Sequence, residues 1–96
     1  MKHNMIDFQE FFESRLKDPV FRTEWNKVEP QYQLERAIIK ARIERGMTQS
    51  ELAKKVGTTQ AVISRIESTN TNPTINMVNK IAKAFGKKLK IEFVSR

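Results

Sequence analysis

The sequence has no cysteine and one histidine, His3. Without thiols there is neither a disulfide nor a thiolate metal site, and a reducing compartment is the natural setting. No apolar run approaches the roughly 20 residues of a membrane span. The opening Met1-Lys2-His3-Asn4 leads into a charged amphipathic stretch rather than a signal-peptide core. The expectation is a cytoplasmic protein with no membrane contact. An internal repeat and a low-complexity tract are also lacking. Enzyme chemistry finds little purchase. There is no phosphate-cradling glycine loop, and no acid pair stands in a metal-site context. Asp7/Glu10 and Glu10/Glu13 have helical spacing but read as a solvated face. Neither an enzymatic role nor a cofactor or metal is expected.

What is present is basic charge, unevenly spread. The 96 residues carry a formal net charge of +7, with −1 over residues 1–30 and +8 over residues 31–96. A basic body suits a polyanion such as nucleic acid, or is simply a solvated surface. The length fits one compact domain with an appendage, with a core sufficient for a helical bundle. The near-neutral first third suggests a separate task.

Asp18-Pro19 can cap and start a helix, because proline suits the first helical position. Pro30 disfavours a helical conformation at Glu29 and should end that segment. The pattern therefore predicts a helix over about 7–17 and another over 19–28. Phe8, Phe12 and Leu16 share one face, with Phe11 beside them. Val20, Phe21, Trp25 and Val28 form a second stripe. A third helix is expected over 33–45, with Leu34, Ala37, Ile38 and Ala41 inward and Gly46 after its end. Thr48 and Glu51 have capping-box spacing and open a short helix through Val56. Gly57 ends it, and Thr58 or Thr59 caps the next. Ser68 to Pro73 is rich in turn residues. Thr74 caps a helix with Ile75, Val78, Ile81, Ala82 and Phe85 on its apolar side. Lys88 to Val94 then alternates, with Leu89, Ile91 and Phe93 on one face, which is the period of a strand.

The two short helices from Gln49 to Glu67, joined by a glycine-containing turn and braced on both sides, form a helix-turn-helix pattern. Ala53 is small where the helices cross. Val56, Ile63 and Ile66 pin the second helix, which leaves Gln60, Ala61, Ser64 and Arg65 outward. Glutamine can make a bidentate contact to adenine and arginine to guanine, while alanine packs on a thymine methyl. Helix N-termini and short polar side chains suit phosphates, which gives Gln49, Thr59, Ser68 and Asn70 to the DNA backbone.

The run Gly46-Met-Thr-Gln-Ser-Glu-Leu-Ala-Lys-Lys-Val-Gly-Thr-Thr-Gln-Ala-Val-Ile-Ser-Arg-Ile-Glu67 resembles the repressors of lambdoid phages and the wider XRE family. With Asn72-Pro73-Thr74 and the following helix, the resemblance covers residues 34–86. It implies a five-helix all-α domain in which Gln49 and the residues after Thr59 contact DNA. It also suggests that Arg42 pairs with Glu67, although by its sequence Glu67 could equally be a solvated acid. This chain has Ser68-Thr69 where relatives often have glycine, and Ala61 is shorter than many of their base-reading side chains.

The flanks extend the likeness. Asp18-Pro-Val-Phe-Arg-Thr-Glu-Trp25, Glu29-Pro-Gln-Tyr-Gln-Leu34 and, after the helix-turn-helix, Gly86-Lys-Lys-Leu-Lys-Ile-Glu-Phe93 resemble HigA-type antitoxins of type II toxin–antitoxin systems. This resemblance implies neutralisation of a HigB-type, RelE-like messenger-RNA-cleaving toxin. It also implies repression of the protein's own operon by binding double-stranded operator DNA as a homodimer, alone or in a heterotetramer with toxin. The expected architecture is all-α: a lambda-repressor-like helix-turn-helix domain over 31–87, a helical extension over 1–30 and a short C-terminal β-strand in 88–96. Phe8, Phe11, Phe12, Phe21 and Trp25 either anchor the toxin or fold onto the DNA-binding domain as extra core. Leu89, Ile91 and Phe93 lie on a strand whose edge must pair. It can pair with a second copy, join the toxin's sheet or pack on its own helices. A solitary XRE-family regulator with no toxin is the alternative function.

Overall fold

The computed structural model describes residues 2–68 and 71–95, with side chains from residue 8 onward. The described residues form five α-helices and no strand: α1 (Lys2–Arg15), α2 (Pro19–Glu44), α3 (Gln49–Val56), α4 (Gln60–Ser68) and α5 (Ile75–Ala84). They group into two compact units, Met1–Tyr32 and Gln33–Arg96, and α2 contributes to both.

In the first unit the Asp18 carboxylate accepts the Val20 N–H at 2.9 Å, so Asp18 caps α2 and Pro19 occupies its first turn. Phe12 lies at the centre of an aromatic cluster. It meets the Phe21 ring edge-on at 6.0 Å and the Trp25 ring at 5.0 Å, and stacks on Phe8 at 6.4 Å. The Arg15 guanidinium lies over the Phe21 ring at 4.9 Å, a cation–π contact.

Pro30 does not end the helix, contrary to the sequence-based expectation: α2 runs through it unbroken. Proline has no N–H for the carbonyl of Asn26, which normally costs a helix about 3 kcal/mol. Two features offset that. Pro30 is exposed, so water can reach the freed carbonyl. Trp25 and Tyr32, two turns apart and on either side of the proline, pack ring to ring at 5.2 Å. That contact exists only if the helix continues.

The second unit is built on Ile38, Leu52, Ala53, Ile63, Ile66, Ile81 and Phe85, with Leu34, Ala41, Met47, Val56, Val62, Met77 and Ala84 packed around them. Helices α3 and α4 are too short to persist on propensity alone. Their ends are fixed by local chemistry. Thr48 accepts the Glu51 N–H at 3.0 Å while Glu51 accepts the Thr48 N–H at 2.8 Å, a complete capping box. Gly57, at φ 84°, closes α3 in a left-handed conformation that costs a residue with a Cβ, and both Gly57 and Thr58 donate to the Ala53 carbonyl.

The anticipated C-terminal β-strand is absent among the described residues. A single strand satisfies neither its donors nor its acceptors, and no described segment offers an edge to pair with. Leu89 is half-buried and lines an apolar groove of about 160 Å³ with Leu34, Ala37, Val78 and Phe85. Ile91 and Phe93 are exposed.

The capping box titrates. The Glu51 carboxyl is held below the usual carboxylate range, chiefly by the Thr48 N–H and then by its hydroxyl, with Lys54 acting in the same direction. A carboxyl whose pKa falls on folding stabilises the fold above its unfolded value, about 4.3. It loses that contribution as the pH drops through the lower folded value. Glu51→Gln keeps an acceptor but cannot titrate. Wild type should therefore exceed Glu51→Gln in urea stability at neutral pH, and the difference should vanish in acid. A difference independent of pH would contradict this.

Candidate nucleic-acid interface

Between Val56 and Gln60 the chain turns through Gly57, Thr58 and Thr59, and α4 then lies across α3. The contact is close because Ala53, only 2% exposed, offers no bulk at the crossing. Ile63 and Ile66 are buried and orient α4. Gln60, Ala61 and Arg65 are exposed, and Ser64 is half-buried beside them. Thr59 stays exposed and its hydroxyl accepts the Val62 N–H at 3.3 Å, capping α4. Ser68 closes the helix, its hydroxyl donating to the Ser64 carbonyl at 2.6 Å. Asn70 and Thr69 lie outside the described residues.

Behind this face sits a buried ion pair. Glu67 is 5% exposed. Its Oε2 accepts from Arg42 Nε at 2.7 Å and its Oε1 from Arg42 Nη2 at 2.9 Å, a fork-to-fork pair. Arg42 Nη1 also donates to the Met47 carbonyl at 2.9 Å. The guanidinium is held above its ordinary value, chiefly by hydrogen bonding to Glu67 and also by its charge, with burial opposing. Gln49 joins the group. Its Nε2 donates to Glu67 Oε1 at 3.0 Å, and its Oε1 accepts from Gln60 Nε2 at 3.5 Å.

The site thus brings Gln49 and Gln60 together and ties both to the pair, while Thr59, Ala61, Ser64 and Arg65 share the outer face. Sequence reasoning gave each of these residues but missed the chain of amides linking them. One signal was available: Gln60 and Glu67 are seven residues apart, two turns along one side of a helix. An α-helix with a polar outer face, fixed from behind, is of the size and chemistry that enters the major groove.

The sequence pattern of the helix-turn-helix family matches residues 38–91, more than half of the chain. The chain belongs to this helix-turn-helix family. It is 41% identical over 49 residues to an uncharacterized HTH-type transcriptional regulator of Archaeoglobus fulgidus, covering 51% of this chain and 70% of that protein. It is 40% identical over 60 residues to the antitoxin HipB of Escherichia coli K12, covering 62% of this chain and 68% of that one. A further HTH-type transcriptional regulator, of Methanocaldococcus jannaschii, is 40% identical over 48 residues, 50% of this chain and 73% of that protein. No solved structure matches. The domain is of the XRE type, a DNA-binding regulator and not an enzyme. No helix among the described residues is long and apolar enough to cross a membrane.

Removing one partner of the buried pair leaves a charge or its donors stranded. Glu67→Ala should lower stability by about 3–5 kcal/mol in urea unfolding. Replacing both partners, Arg42→Met with Glu67→Met, should cost less than the single change. A double variant less stable than Glu67→Ala would contradict the assignment.

Proposed function

We propose that this protein is a HigA-type antitoxin that represses its own operon and restrains a HigB-type, RelE-like toxin. The observation carrying the reading is the pairing of a helix-turn-helix with a second unit bearing exposed aromatics. Phe8 is 66% and Phe11 60% exposed, in a segment before the family match. Exposed aromatic side chains are the usual anchors of protein interfaces. Phe12, Phe21 and Trp25 are half-buried in the aromatic cluster, so they shape this surface, and Phe8 and Phe11 reach the partner. The near-neutral charge of residues 1–30 suits a basic RNA-cleaving partner better than the basic body would. Similarity to an antitoxin, HipB, supports the antitoxin part of this reading.

In the DNA-binding half, Gln60, Ala61, Ser64 and Arg65 meet base edges. Gln49, Thr59, Ser68 and Asn70 meet phosphates. The protein acts in the cytoplasm, as a dimer on operator DNA and as a heterotetramer with toxin. The two activities separate by mutation. Arg65→Ala should weaken specific operator binding by about 1–3 kcal/mol and leave toxin capture intact. Phe8→Ser with Phe11→Ser should do the reverse, losing growth rescue when the product of the adjacent gene is co-expressed. If no neighbouring product binds, the protein is a solitary XRE-type regulator.

Dimerisation is assigned to Leu89, Ile91 and Phe93. Ile91 and Phe93 lie exposed in a segment of alternating pattern, and the unmade strand gains its ladder when two copies pair across a two-fold axis. Deleting residues 89–96 should keep the helical content in circular dichroism but weaken dimerisation in sedimentation, and operator affinity with it. A truncated protein that stayed dimeric would overturn this.

A further inference from the structure

The groups behind α4 do more than hold it in place. We propose that Glu67 is a positioning residue for base recognition: it fixes the polarity of the Gln49 amide, and Gln49 in turn fixes that of Gln60. This rests on the reading that Gln60 meets a base edge.

A glutamine amide has a donor end and an acceptor end of nearly equal shape. On an open helix surface it can turn over, so its position alone does not define what it offers. Glu67 removes that freedom. Its carboxylate, gripped on both oxygens by Arg42, has only acceptors to present. Gln49 must therefore turn Nε2 toward it, as the 3.0 Å contact shows. The Oε1 of Gln49 then faces Gln60 and takes one N–H of its Nε2 at 3.5 Å. Gln60 is left with its second N–H and its Oε1. That is one donor and one acceptor, the complement of N7 and the N6 amino group of adenine in the major groove. Guanine offers two acceptors at the same edge, N7 and O6. If Gln49 turned over, Gln60 would turn its Oε1 inward and present N–H groups, which suits guanine.

The polarity of a buried carboxylate is thus carried about two side chains outward to the base-reading surface. A purely structural ion pair would set affinity and stability but not the choice between adenine and guanine.

The test uses the full chain and a pool of duplex DNA with a randomised centre, selected by binding and sequenced. Gln60→Ala identifies the position that Gln60 reads, by loss of its preference. Gln49→Met breaks the relay at its middle and leaves the Arg42–Glu67 pair in place. Arg42→Met with Glu67→Met removes the relay without a stranded charge. Thermal unfolding monitors folding of each. At the position read by Gln60, the adenine-over-guanine ratio should fall about tenfold in both variants, on the scale of one bidentate contact. If the double variant does not unfold cooperatively, Gln49→Met decides alone. A wild-type ratio in a folded Gln49→Met or double variant overturns the relay while leaving base reading by Gln60 standing. If Gln60→Ala changes no preference at any position, base reading by Gln60 fails and the relay with it.

Discussion

The pairing of Arg42 with Glu67 is the constraint on which the DNA-binding unit depends. A carboxylate in an apolar interior is costly, and only a nearly complete set of hydrogen bonds offsets that cost. Here the donors come from two helices other than its own. The guanidinium arrives from α2 and the Gln49 amide from α3, while Glu67 itself belongs to α4. The same guanidinium satisfies the Met47 carbonyl in the corner between α2 and α3. No one helix can shift without stranding a polar group, so the pair acts as a register mark. Apolar packing alone would tolerate small slides of α4 over α3. A buried polar network tolerates them less, because its energy depends on angle and distance.

This matters because the helices that carry the motif are short. Leu52, Ile63 and Ile81 are fully enclosed, but the core they form is small. Its apolar surface cannot by itself select one crossing geometry. The capping box at Thr48 and the left-handed turn at Gly57 set where α3 begins and ends, and Ala53 sets how closely α4 approaches. The ion pair then fixes the remaining freedom of rotation and slide.

The parts legible in the sequence were those governed by local chemistry. Thr48 with Glu51 and Asp18 with Pro19 specify their helix starts through hydrogen bonds that span two or three residues, and Gly57 specifies its turn through φ. The outward face of α4 followed from the spacing of Ile63 and Ile66 alone. Pro30 misled because its local preference was outweighed by the Trp25–Tyr32 contact, and that contact presupposes the helix it supports. The C-terminal alternation of Leu89, Ile91 and Phe93 misled for a different reason. Period two reports which side chains share a face, but a strand also needs a second edge, and none of the described residues supplies one. The Gln49 amide contacts lay beyond local reasoning because they join α3 to residues of α4 that are 11 and 18 positions away.

The composition of the outer face bears on how such a protein reaches specificity. Ala61 and Ser64 are short, so under the proposed function few long side chains are left to read bases, chiefly Gln60 and Arg65. A single copy would then discriminate among few base pairs, and most of its affinity would be the unspecific attraction of a basic body for phosphates. Two mechanisms raise discrimination without adding contacts. One is to fix the polarity of each reading group, so that an amide cannot adapt to the wrong base. The other is to couple two copies across a two-fold axis, so that a half-site must match twice at a set spacing. Under the proposed relay the first is served by the buried carboxylate behind Gln60. Under the proposed dimerisation the second is served by the C-terminal segment, where Ile91 and Phe93 are exposed. In this reading the exposed apolar residues of the C-terminal segment and the buried charge behind α4 answer the same shortage of base-reading side chains.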